Sequence, residues 1–135
     1  MVCGSPQAES GKIALPIGRH PVDRKKMAVI PVEKGGREAV TYWEVIERLG
    51  NYTLIRYLLE TGRTHQIRVH STSMGCPLVG DRVYGSGSSL KVNLSGQALH
   101  AYRLTLKHPI SDNIIEAIAP LPQELLKVLK VLRNR

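Results

Sequence analysis

The segment ETGRTHQIRVH (60–70) gathers Glu60, Arg63, His65, Arg68 and His70 within a single turn-and-helix stretch. Thr64 can cap a helix over about His65 to Met74, and Gly75 can end it. The start of a helix already carries partial positive charge and unpaired N–H groups. Adding Arg63 and Arg68 there costs about half a kcal/mol per charge unless an anion lies nearby. A phosphate or a carboxylate resolves the conflict, and the planar fork of arginine suits both. The plainer alternative pairs Arg63 and Arg68 with Glu60 or other surface acids, with no further role. His65 and His70 read first as capping or packing residues, and so does His100 in an expected strand.

Other chemistries find little support. His65 and His70 lie off one helical face and have no Cys, Asp or Glu at zinc spacing. Cys3 and Cys76 lack metal-ligand or redox spacing, so a reduced compartment is expected. There is no G-x-S-x-G elbow and no glycine-rich nucleotide loop. The net charge of +8 points to a polyanionic partner, nucleic acid before membrane. Candidate phosphate contacts are the loop Arg19, His20, Arg24, Lys25 and Lys26, and the helix residues Lys127, Lys130, Arg133 and Arg135. On the helix, a solvated polar face is the stronger reading.

Periodicity supplies the elements that must hold these groups. Strands are expected over Lys12 to Ile17, Met27 to Val32, Ala39 to Glu47, Tyr52 to Leu59, Ala98 to Leu106 and Asn113 to Ala119. Gly50-Asn51 turns the third into the fourth as a hairpin. Residues 76–85 read as an ordered loop and 86–96 as a surface loop. Leu121 to Leu132 reads as an amphipathic helix. With one Trp, five Tyr and no Phe among 135 residues, the core must rest on Val, Ile and Leu. The fold class expected is α+β: a mixed, mainly antiparallel sheet with a short helix after TGRTHQIR and a helix near the C-terminus, in one domain over 1–135. The opening residues have no hydrophobic run of a secretory signal, and no apolar stretch is long enough to span a bilayer. A cytoplasmic or organelle-matrix location is expected.

Several segments resemble one family in the right order. LLETGRTHQIRVH (58–70) is similar to the signature of RNA pseudouridine synthases that modify large-subunit ribosomal RNA and some transfer RNA. The likeness extends through MGCPLVGDRVYG (74–85) and LHAYRLTLKHPI (99–110), and upstream through GKIALPIGRHPVDRKKM (11–27) and REAVTYWEVIER (37–48). Cys76 departs from the pattern, where a His is common. The resemblance implies the C-terminal part of a catalytic domain that isomerises uridine in RNA, without cofactor or metal, as a monomer in the complete enzyme. It implies that Arg68 pairs with a catalytic aspartate, in an H-R-L-D-like segment outside these residues. Asp23, in HPVDRKK, is not taken for that aspartate, because its stretch occupies the place of a later basic loop. Arg63, Arg19, Arg24 and Lys25 are then expected to hold the RNA backbone, with the target base drawn out of its stack. Two other readings stay open: a non-catalytic RNA-binding module on the same scaffold, and a basic structural protein such as a ribosome component.

Overall fold

The computed structural model describes residues 1–85 and 94–135. Two compact units divide the chain, Met1–Ala98 and Leu99–Arg135. Within each, every described strand pairing is antiparallel. The architecture is α+β, with two α-helices among the described residues.

The first unit is organised by a hairpin. β5 (Val40–Leu49) and β6 (Tyr52–Leu59) pair along nearly their whole length. They turn at Gly50, whose φ of 68° is a conformation that glycine adopts without the usual Cβ penalty. β1 (Val2–Cys3) flanks β6 and β2 (Ser10–Ala14) flanks β5, giving the sheet order β1-β6-β5-β2. Val40 and Thr41 are both buried; from Thr41 to Glu44, burial alternates as a one-sided sheet requires. A register shift between Val45 and Glu47 then bends the strand. Trp43 lies opposite Gly11 in the ladder and is 8% exposed. It packs with Val2, Ile13, Ile55, Cys76 and Leu78 as one core cluster.

The strand expected over Lys12 to Ile17 is two strands. β2 ends at Ala14, and β3 (Ile17–Arg19) pairs instead with β4 (Met27–Val29). Pro16 lies between them; it lacks the N–H that a continuous ladder would need. β4 is likewise shorter than expected, and a 3-10 turn follows at Val32–Lys34. The β3–β4 hairpin is tied to the segment before β5 by a reciprocal pair of backbone bonds between Ile17 and Arg37, 2.9 and 2.8 Å. A second core cluster forms there from Ile17, Ala39 and Val69, with Met27 and Tyr84 packed against it. Val69 belongs to α1 (Gln66–Ser73), so this cluster seats the helix beside the hairpin.

The second unit holds β7 (Arg103–Lys107), β8 (Ile114–Ile118) and α2 (Gln123–Arg133). β7 begins later than expected, so His100 precedes the strand, where its Nε2 donates to Ala119 O at 2.9 Å. α2 starts after Pro122 and buries Val128, Leu129 and Leu132, three of the apolar positions the helical spacing marks. The expected surface loop over 86–96 falls largely on 86–93, which lie outside the described residues.

The Gly11–Trp43 contact yields a test. A Cβ at Gly11 would lie 2.8 Å from three atoms of the Trp43 ring, inside any real contact distance. Gly11→Ala is expected to destabilise the chain by about 1–3 kcal/mol in urea unfolding, since the ring must shift. Gly62→Ala, where nothing lies within 4 Å, is the control, expected within about 0.5 kcal/mol of the parent.

Candidate active site

The site is built where α1 begins. Thr64 is not its cap: the capping position is His65, in a left-handed conformation with φ 53° and no side-chain cap bond. For a residue with a Cβ, that conformation is held only by its surroundings. Here a glutamine supplies them. The buried Gln66 accepts through Oε1 from Arg63 N–H (2.9 Å) and from the Thr61 hydroxyl (2.7 Å). Its Nε2 donates to Val40 O (3.0 Å) and to Thr41 Oγ1 (2.9 Å). One side chain thus closes the turn 61–66 and fastens it to β5.

His70 extends the network. It is fully buried. Its Nε2 donates to Leu15 O at 2.9 Å, because a carbonyl can only accept. Nδ1 therefore accepts from the Thr41 hydroxyl at 2.7 Å. Burial pushes the His70 pKa down against the opposing bond to Leu15, so the ring is a neutral structural brace.

Arg68 stands in the first turn of α1. The resemblance looks outside the chain for a catalytic acidic partner; within the fold, Arg68 is also paired with an acid of its own unit. Arg68 Nε donates to Asp81 Oδ2 at 2.9 Å and Nη2 donates to Asp81 Oδ1 at 3.0 Å. The side chain of Asp81 has no exposed surface, and that of Arg68 is 12% exposed. Asp81 Oδ1 also accepts the backbone N–H groups of Val83 and Tyr84, each at 3.1 Å. Burial pushes the Asp81 carboxyl up. The bond from Arg68, the amides of Tyr84 and Val83 and the Arg68 charge outweigh it, holding the group below the usual carboxylate range. The same bond to Asp81 raises the Arg68 pKa against the effect of burial. The pair is therefore ionised on both sides.

Tyr84 completes the arrangement. Its ring centroid lies 5.0 Å from the Arg68 guanidinium carbon, within cation–π range. Its hydroxyl accepts Met27 N–H at 2.9 Å and shares a hydrogen with His65 Nδ1 at 2.8 Å. One phenol thus joins β4, the left-handed residue before α1 and the face of Arg68. His65 is exposed, and burial of its ring and the Arg68 charge push its pKa down against the pull of Asp81.

The expected RNA contacts divide. Arg19, Arg24 and Lys25 are exposed on the β3–β4 hairpin. That loop is ordered by its own turn: His20 Nδ1 accepts Val22 and Asp23 N–H groups, and Arg19 Nη1 donates to Arg24 O at 2.7 Å. Asp23 accepts Lys25 N–H and serves this turn. Arg63 is half-buried and donates through Nε to Glu38 O at 2.9 Å. No Glu60 ion pair occurs among the described residues, nor any cluster of three potential metal ligands. Among the same residues, no helix is long and apolar enough to cross a membrane.

The profile of the RNA pseudouridylate synthase family matches residues 1–73, more than half of the sequence. The chain belongs to that family. An uncharacterised RNA pseudouridine synthase of Synechocystis is 59% identical over 135 residues, which are all of this chain and 41% of that protein. Ribosomal large subunit pseudouridine synthase D of Nitrosomonas europaea is 45% identical over 132 residues, 93% of this chain and 38% of that protein. The chain thus spans about two fifths of the length of these relatives. Among solved structures, human RNA pseudouridylate synthase domain containing 1 superposes with a TM-score of 0.69 at 26% identity, covering 99% of this chain and 63% of that one.

The family match contains Arg63, Arg68 and the hairpin but stops short of Asp81 and Tyr84. By sequence those two lie in the ordered loop 76–85, within a segment that shares the resemblance but to which no site role was given. Their signal is local: an aspartate able to cap its own turn, placed after a glycine. Gly80 has φ 79°, and a Cβ there would meet Gly96 O at 2.5 Å.

The buried pair sets a stability test. Asp81→Ala leaves Arg68 without its partner and is expected to cost about 3 kcal/mol in urea unfolding at neutral pH. The Asp81 pKa is lowered on folding from 3.8, so its contribution is complete above that value and is lost as pH falls through the lower folded value. The gap between parent and variant is therefore expected to hold from neutral pH down to about 5 and to narrow under stronger acid.

Proposed function

We propose that this chain is the arginine-bearing part of a pseudouridine synthase acting on ribosomal RNA, transfer RNA being the second candidate. The observation that carries the reading is Arg68. It is an arginine of the family signature, ionised at the first turn of α1, beside a hairpin that presents Arg19, Arg24 and Lys25 to solvent. The family membership and the name of the Nitrosomonas relative support the reaction and the large-subunit RNA.

On this reading the basic hairpin holds RNA phosphates, and Arg63 contributes through its remaining guanidinium donors. Arg68 orients a catalytic carboxylate next to the target uridine. That carboxylate comes from outside these residues, since Asp81 is committed to Arg68 and to two amides within the fold. The reaction uses no metal and no cofactor, and the enzyme works as a monomer in the cytoplasm or an organelle matrix. The 135-residue chain by itself binds RNA without turning it over. This last property is shared with a non-catalytic RNA-binding module, and the gene product as a whole separates the two.

Filter binding with ribosomal RNA is expected to show affinity that falls linearly in log–log form with salt. Arg24→Ala with Lys25→Ala is expected to reduce that slope by about 2, because two phosphates are no longer neutralised. Chemical mapping should find no pseudouridine after incubation with the 135-residue chain and new pseudouridine after incubation with the full-length gene product. Product from the short chain alone defeats the assignment of the carboxylate to another segment. RNA binding without product from the full-length protein favours the binding module.

A further inference from the structure

Arg68 is held at Nε, at Nη2 and over its face. Nε and Nη2 are occupied by Asp81, and the ring of Tyr84 lies 5.0 Å from the guanidinium carbon. Among the described residues, Nη1 is the one guanidinium nitrogen of Arg68 that makes no bond. With its Nε–Nη2 edge taken up by Asp81, Arg68 has its Nη1 donors left for a further acceptor.

The hold is itself rigid. Asp81 cannot rotate without breaking the two hydrogen bonds it accepts from the Val83 and Tyr84 N–H groups, as well as the two from Arg68. Tyr84 cannot swing away without releasing Met27 N–H and His65. A free arginine side chain has about 2 kcal/mol of rotamer freedom to lose when it is fixed. Here that freedom has been removed before any substrate arrives.

We infer that Asp81 and Tyr84 are positioning residues: together they aim the Nη1 edge of Arg68 at a second anionic group, the carboxylate of the reacting centre. The inference rests on the function proposed above and adds to it two residues outside the family match. One guanidinium then bridges two carboxylates, a structural one on its Nε–Nη2 edge and a reacting one on its Nη1 side. Small displacements of such a group slow the reaction strongly, because an error of about 1 Å in a reacting geometry lowers the rate as much as 100-fold. A lysine at position 68 would keep the charge and lose the fork that lets both carboxylates share it.

The experiment uses the full-length gene product, with Asp81→Asn, Arg68→Lys and the double variant. Asp81→Asn keeps an oxygen for the two amides and removes the charge that grips Arg68. It is expected to lower kcat by about 10- to 100-fold while KM for RNA changes by less than about threefold. Because Asp81 acts through Arg68, adding Asp81→Asn to Arg68→Lys should lower kcat further by no more than about threefold. Nitrogen-15 NMR of the guanidinium gives a second readout without turnover. Arg68 is expected to show separate, slowly rotating Nη signals in the parent and one averaged signal in Asp81→Asn, with the other resonances retained. If Asp81→Asn does not fold, Tyr84→Phe keeps the ring and removes only the hydroxyl anchor; its kcat should fall by about fivefold. Averaged Arg68 signals in the parent overturn the inference. So does parent-like kcat in Asp81→Asn, or fully multiplicative losses in the double variant. A fixed Arg68 in a full-length protein that makes no pseudouridine would instead confirm the hold and refute the catalytic purpose given to it.

Discussion

The bidentate contact between Arg68 and Asp81 is the interaction around which the first unit arranges its chemistry. A carboxylate with no exposed surface is tolerable only when its charge is matched and its lone pairs are filled. Asp81 meets both conditions with one guanidinium and two amides of its own turn. The consequence for Arg68 is equally strict. A cation near a helix start is unfavourable in isolation, and an anion within the fold removes the conflict. The turn 81–84 is thus the electrostatic complement of α1, and Gly80, with its positive φ, precedes it where a side chain would collide with Gly96.

Around that pair lies a scaffold of neutral polar groups. Gln66, Thr61, Thr41 and His70 form a connected chain in which each donor finds an acceptor, from Arg63 N–H at one end to Leu15 O at the other. Fully satisfied networks of this kind specify a single arrangement, because any half-satisfied alternative leaves a buried polar atom without a partner. The network ties α1 to β5 and to the segment between β2 and β3. It fixes the height and rotation of the helix on the sheet, and so the place from which Arg68 projects. Apolar packing alone, through Val69 on one cluster and Ile67 on the other, would leave that setting looser.

The basic hairpin is an ordered surface. His20 caps its own turn through Nδ1, and His108 does the same at the corresponding His-Pro step of the second unit, accepting Ile110 and Ser111 N–H groups. A histidine followed by proline thus serves twice as a turn-closing residue. In the first unit the result is to present Arg19, Arg24 and Lys25 from a short loop anchored by Tyr84 through Met27. Cations on a fixed loop meet a phosphate backbone with less ordering left to do.

Much of this was legible in the sequence. Charge pointed to a polyanionic partner, the ordered segments from GKIALPIGRHPVDRKKM to LHAYRLTLKHPI resembled an RNA-directed family, and the succession of strand and helix patterns gave the α+β class. The β5–β6 hairpin and both helices followed from local pattern, because β-branched alternation, glycine turns and helical spacing are properties of neighbouring residues. Arg68 stood out because its charge conflicts with its position on a helix. What answers that conflict was invisible, since Asp81 lies 13 positions away along the chain and only the return of the loop after α1 brings it within 3.0 Å. The same is true of Tyr84 reaching Met27 and His65, of His70 reaching Leu15, and of the break at Pro16 that sends β3 to pair with β4. Local pattern sets which elements form. Which charges meet is decided by packing, because a buried ion pair has no periodicity to read and exists only when two distant segments are closed upon one another.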